Sequence, residues 1–149
     1  MAADFAWIHP DAAGLFIVPS GCWIDPARPA ELALVTHGHS DHARGGHGRT
    51  LATAETLAIM SLRYALGETA GVRGEAVAYG ETVRLPGAVS ATFLPAGHVL
   101  GSAQILLEHA GERVIVTGDY KRRPDPTCPP FAVTACDVFI TEATFGLPV

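Results

Sequence analysis

The sequence predicts a mixed α/β fold, α+β in the broader division, in which strands outnumber helices and pack as layers. Three observations predict it. Short apolar runs rich in Val, Ile, Leu and Phe recur along the chain, each closed by turn residues. A single stretch of helical periodicity stands among them. Asp25, His37, His98, Asp119 and Glu142 fall at, or a few residues past, the C-terminal ends of apolar runs, where sites assemble in layered sheets.

Taken in chain order, residues 14–18 form the first strand-like run, and 22–24 form the next, leading into Asp25-Pro26. Residues 31–36 run into His37. From Thr53 to about Leu66 there is no Gly or Pro, and Leu57, Met60 and Tyr64 recur at helical spacing, which predicts an amphipathic helix. Val89, Ala91 and Phe93 alternate through 89–94 before Pro95-Ala96-Gly97-His98, which predicts a half-buried strand. Residues 113–117 are the most convincing strand and lead into Gly118-Asp119, while 137–141 lead into Glu142. Ser102, after Gly101, reads as the cap of a helix starting there rather than as a phosphate contact.

At 149 residues with 48% apolar content, the chain is long enough to bury one core, which excludes a disordered chain and a disulfide-stapled mini-protein. Its apolar runs stop near about five residues, whereas a membrane helix needs about 20. The first residues carry no basic segment and no apolar stretch of signal-peptide length, so a cytoplasmic protein is expected. Cys22, Cys128 and Cys136 are odd in number and lack a C-x-x-C spacing, so free thiols are expected over a disulfide or a thiolate metal site. Ten basic residues against fifteen acidic ones give a net charge of −5, which argues against a protein that coats nucleic acid by charge alone. Bound cations would change that balance locally.

The segment Thr36-His37-Gly38-His39-Ser40-Asp41-His42 carries the strongest chemical signal. Three imidazoles and a carboxylate suit zinc or a similar divalent ion. His37 and His39, at i and i+2, face the same way only on extended chain, whereas helical zinc motifs place their histidines at i and i+4. A helical turn after Ser40 would aim Asp41 and His42 at a second point nearby, so one loop could serve two metals. Gly38 frees the backbone for that change of direction. His98 lies in a turn-rich loop after a strand, and Asp119 follows the strand at 113–117, where a carboxylate can bridge two cations. His9, His47 and His109 lack partners in sequence and are expected to be surface or core histidines.

The ordered set His37-x-His39-x-Asp41-His42, His98 and Asp119 resembles the metallo-β-lactamase superfamily. That resemblance implies an αββα sandwich with a one- or two-metal site at one edge. Asp25 matches an early aspartate that supports the site without ligating metal. The segments around Gly97-His98, Gly118-Asp119-Tyr120 and Thr141-Glu142 resemble the β-CASP nucleases of that superfamily, with Glu142 matching their first additional motif. Closer still, residues 23–29, 120–128 and 139–148 are similar to the bacterial DNA-ligase-associated exonucleases.

The resemblance implies that His37, His39 and His98 hold one metal, that Asp41 and His42 hold the other, and that Asp119 bridges them. The cofactors are then two divalent ions, zinc or manganese, holding a hydroxide that attacks a phosphodiester. Asp41, Asp119 and Glu142 are the implied catalytic carboxylates. Asp41 would orient or deprotonate the water, and Glu142 would position His42 or another ligand. The implied substrate is DNA, single-stranded or at strand ends, with a DNA ligase as a possible partner and no membrane. Lys121 and Arg122, beside Asp119, are candidate phosphate contacts, with a solvated turn as the equal alternative. Residues 1–149 are expected to be a metallo-β-lactamase-like domain cut before the β-CASP insertion and the closing strands. Two alternatives stand beside the nuclease: a hydrolase of a small thioester or lactam, and a non-catalytic metal-binding fragment.

Overall fold

The structure, a computed structural model, describes residues 6–65, 73–144 and Gly146. The chain forms two sheets. The first runs in spatial order β1 (Ile8–Asp11), β2 (Gly14–Ile17), β3 (Cys22–Ile24), β4 (Leu32–Leu34), β5 (Arg49–Ala52) and β6 (Gly74–Ala76). The strands from β1 to β3 pair antiparallel, and those from β3 to β6 pair parallel. The second sheet has the order β11 (Val138–Ile140), β10 (Glu112–Val116), β9 (Ala103–His109), β8 (Val89–Pro95) and β7 (Thr82–Leu85). It is antiparallel except where β10 meets β11 in parallel.

The inward faces of the two sheets make the core. Ile17, Ile24, Leu34 and Leu51 from the first sheet and Phe93, Ile105, Leu107 and Val114 from the second are almost wholly buried in one cluster. A smaller cluster of Val35, Ala43, Ala52 and Met60 seats the helix α1 (Ala54–Ala65) on the other side of the first sheet, helped by Leu57 and Tyr64. The layering is therefore helix, sheet, sheet among the described residues.

Helix α1 starts where its sequence says it should. Thr53 Oγ1 accepts the amide of Thr56 at 3.3 Å as an N-cap and donates to Gly101 O at 2.7 Å. Glu55 in the first turn and Arg63 in the last complement the helix dipole. The expected end near Leu66 lies outside the described residues. The bond to Gly101 ties the helix start to the loop that carries His98. A Cβ on Gly101, whose φ is +79°, would meet Glu55 Cβ and Thr53 Oγ1 at 2.8 Å, so this approach needs glycine.

The six expected strands are present, with their ends moved by no more than two residues. The expected helix after Ser102 is not: Ala103–His109 is strand β9. Its first five residues are buried on both faces, Ile105 and Leu107 toward the core and Gln104 and Leu106 away from it. A continuous apolar run of this kind suits a doubly covered strand. The cap reading also fails in detail, because Ser102 Oγ accepts the amides of His98 and Val99 and so closes the His98 loop instead. No helix among the described residues is long and apolar enough to cross a membrane.

Candidate metal centre

The donor groups converge at the edge where the two sheets meet. His37 stands three residues past the end of β4 and is fully buried. His39 follows at i+2 and brings its Nδ1 to 3.0 Å from His37 Nε2. His98 Nε2 lies 3.3 Å from the same His39 Nδ1. Asp119 Oδ2 stands 3.7 Å from His37 Nε2 and 3.6 Å from His98 Nε2. One ligand atom from each of His37, His39, His98 and Asp119 lies within 4.8 Å of the others.

Past His39 the chain makes one turn and no helix. The amides of His42 and Ala43 donate to His39 O at 3.1 and 2.8 Å. That turn carries His42 Nε2 to 3.6 Å from Asp119 Oδ1 and to 3.7 Å from Asp41 Oδ2. Asp119 thus faces a three-histidine group with one oxygen and an Asp41–His42 group with the other.

The histidines are held from behind. Asp25 accepts His42 Nδ1 at 2.8 Å, and also the Thr36 amide and hydroxyl at 2.8 and 2.6 Å. Thr36 Oγ1 lies 3.0 Å from His37 Nδ1. Asp25 therefore orients both halves of the loop from a backbone with φ +47°, a conformation that Asp tolerates better than most residues. Sequence reasoning did not single out Thr36. Its signal was its place directly before His37, and its partner Asp25 is eleven residues away.

Glu142 sits apart from the donor groups. It accepts the amide of Tyr120, the residue after Asp119, at 3.2 Å, and the hydroxyl of Thr144. It reaches Tyr120, whereas Asp25 is the carboxylate that touches His42. Asp41, His42, Asp119 and Glu142 nonetheless line one cavity of about 270 Å³ that runs inward between the sheets to Leu15 and Ile140. Lys121 pairs with Asp125 at 2.7 Å, and Arg122 lines a different cavity with Tyr120 and Phe131. His9 and His109 hydrogen-bond the carbonyls of Ala6 and Ala88, and His47 is buried, all away from the cluster. All three cysteines are free.

Electrostatics fit a cation. Burial, reinforced by the neighbouring imidazoles of His42, His39 and His98, lowers the pKa of His37 to about 3. Burial also lowers His98, against the pull of Asp119. Both imidazoles are therefore neutral near pH 7, with lone pairs available to a metal. The hydrogen bond that its ring donates to the Asp25 carboxylate raises the pKa of His42. Such a carboxylate behind an imidazole fixes the tautomer and leaves Nε2 as the free donor atom when a metal takes the proton's place. Nitrogens and carboxylate oxygens packed this closely suit a divalent ion.

No protein-family model matches the chain. A protein of Opitutus terrae named Probable DNA ligase is 37% identical over 144 residues, covering 95% of this chain and 14% of its own. A ribonuclease of Thermus thermophilus is 30% identical over 151 residues, covering 82% of this chain and 33% of its own. An endoribonuclease of Mycosarcoma maydis is 28% identical over 176 residues, covering 93% and 19%. The chain thus spans between 14% and 33% of the length of these relatives. Among solved structures, a protein of Parabacteroides distasonis described as a metal-dependent hydrolase aligns with a TM-score of 0.52 at 17% identity, over 74% of this chain and 57% of its own. The two facing sheets give the chain the metallo-β-lactamase fold, and its sequence relatives, similar over most of this chain, include named nucleases of the β-CASP kind.

Proposed function

We propose that this chain supplies the metal-binding part of a phosphodiesterase that cleaves nucleic acid, with DNA strand ends as its substrate. The observation that carries the reading is the placement of Asp119, 3.6 Å from His98 through one oxygen and 3.6 Å from His42 through the other. In this reading His37, His39, His98 and Asp119 hold one cation, and Asp41, His42 and Asp119 hold a second. Two divalent ions about 3.5–4 Å apart would supply a hydroxide at neutral pH and positive charge against the phosphodiester.

The chain's own residues do the rest. Asp41, whose side chain is 75% exposed, can accept a proton from the attacking water. Asp25 keeps His42 Nε2 directed at the site, and Glu142 fixes the backbone beside Asp119. Lys121 and Arg122 remain the proposed phosphate contacts, Arg122 with the freer head, since the Lys121 amine is engaged by Asp125. Residues 1–149 are the metallo-β-lactamase-like part of a longer nuclease in this reading, which the fractional coverage of the relatives supports. The Opitutus relative supports DNA by its name, while the other two are named for RNA. A ligase would join the product of such a trimming reaction, and a cytoplasmic place goes with both.

The test is a side-by-side assay of end-labelled single-stranded DNA, RNA of the same sequence, a chromogenic lactam and a glutathione thioester, with zinc or manganese added. Shortening of the DNA ladder with the lactam and thioester intact is expected. Efficient turnover of the small esters with DNA untouched would overturn the reading in favour of a small-ester hydrolase. RNA cleavage without DNA cleavage would move the substrate class only.

A further inference from the structure

The last turn of helix α1 grips the histidine loop at both ends. Arg63 Nη2 donates to Gly38 O at 2.7 Å, and Tyr64 OH donates to Ala43 O at 2.6 Å. The two carbonyls bracket the donors: Gly38 lies between His37 and His39, and Ala43 follows His42 directly. Backbone and helix are in close contact along the whole length. A Cβ on Gly38 would meet Ile59 at 3.0 Å, and one on Gly45 would meet the Tyr64 ring at 3.1 Å. The Arg63 guanidinium stands 6.0 Å over that same ring, which helps to hold both side chains in place.

We infer that Arg63 and Tyr64 are positioning residues, each addressing one half of the metal centre. Rigid support decides whether such a loop can act. His37 is fixed from β4, while His98 and Asp119 arrive on other elements. His39, Asp41 and His42 follow on a short loop whose backbone is set by the turn closed on His39 O and by the two helix bonds, with Asp25 fixing the His42 ring. Arg63 holds the stretch that sets His39 against His37. Tyr64 holds the stretch that sets Asp41 and His42 against Asp119. Neither side chain touches a donor atom; each acts through a carbonyl next to one. The inference rests on the metal reading above, and its first readout is independent of that reading.

Tyr64→Phe keeps the ring that packs on Gly45 and removes only the hydroxyl, and Arg63→Gln removes the charge and the fork. In metal-free protein, hydrogen exchange of the His42 and Ala43 amides is expected to speed by about tenfold in Tyr64→Phe while β9 and β10 amides keep their protection. In zinc titrations read by a competing chelator, Tyr64→Phe is expected to weaken the looser equivalent by about tenfold and leave the tighter one unchanged. Arg63→Gln is expected to weaken the tighter one, and Arg63→Lys, which can still donate to Gly38 O, to restore part of the loss. Unchanged exchange and unchanged zinc binding in both variants would overturn the inference. So would an equal loss of both equivalents that follows a drop in global stability. If the parent takes up no zinc, the metal reading fails, and the exchange experiment still decides whether the helix braces the loop.

Discussion

Asp25 accepts His42 Nδ1 at 2.8 Å, and the opposite ring nitrogen of His42 stands 3.6 Å from Asp119. A residue at the end of β3 therefore aims a residue of the next loop at the far sheet. Asp25→Asn keeps the size and tolerates the left-handed backbone, but it loses the negative charge and must share its amide between acceptor and donor roles. The variant is expected to fold, to lower the pKa of His42 in titrations followed by imidazole resonances, and to bind its second metal equivalent about 10–100-fold more weakly. An unchanged His42 titration would show that the hydrogen bond is not what holds the ring.

Acid should unfold the metal-free protein in a way that names His37. Burial and the neighbouring imidazoles place its pKa at about 3, against 6.5 in the unfolded chain. The unfolded chain therefore binds this proton first, and the stability tied to a neutral His37 is present above pH 6.5 and lost as pH falls toward about 3. His98, lowered in the same direction, adds to the effect. His42 has the opposite sign: raised by Asp25, it contributes below 6.5 and loses that contribution as pH rises through its folded value. Thermal unfolding in chelator between pH 7 and 4 is expected to show a falling midpoint that is flatter in His37→Gln. The same slope in the variant would assign the acid sensitivity elsewhere.

The donor loop was legible because ligand chemistry is written in side chains at close spacing. His37 and His39 at i and i+2, then Asp41 and His42, need no long-range information to be grouped. Asp25 was recognised as a support by the resemblance, whereas the helix supports were not legible, for the converse reason. Arg63 and Tyr64 bind the carbonyls of Gly38 and Ala43, 25 and 21 residues away, and a backbone acceptor leaves no mark on the sequence. Strand β6 was missed because Gly74, Glu75 and Ala76 are all exposed and show no alternation. Strand β1 carries Pro10, which an edge strand accommodates and which reads as a break. Strand β9 was mistaken for a helix because Gly101-Ser102 imitates a helix start, while the hydroxyl of Ser102 serves the loop behind it. The site was readable as a list of donors; what holds them in place comes from the fold.

Gly118 makes a test of the approach between the two loops. Its φ is +55°, and a Cβ there would lie 2.6 Å from Thr36 Oγ1, the hydroxyl that joins Asp25 to His37. Gly118→Ala is expected to cost about 1–3 kcal/mol from the strained backbone, more if Thr36 cannot move aside. Because Asp119 is the next residue, metal binding should fall along with the melting temperature. A variant with wild-type stability would mean that the backbone can leave the left-handed region without harm to the loop.

The last prediction separates chemistry from binding. Asp41→Asn keeps volume and hydrogen bonding but removes the charge and the basicity of a side chain that is largely exposed, so little packing is at stake. Cleavage of single-stranded DNA is expected to fall by about two to four orders of magnitude, the range typical of losing a positioned base, while the melting temperature holds. Arg122→Ala with Lys121→Ala should act differently, weakening DNA binding and reducing the slope of log affinity against log salt by about one unit for each phosphate no longer neutralised. The Lys121–Asp125 pair makes Arg122 the larger contributor, so Arg122→Ala alone is expected to give most of the change in slope. Cleavage rates at saturating DNA should barely move in the double variant. If instead the double variant loses turnover at saturation and keeps its salt slope, the basic run belongs to the reacting site and not to a phosphate track beside it.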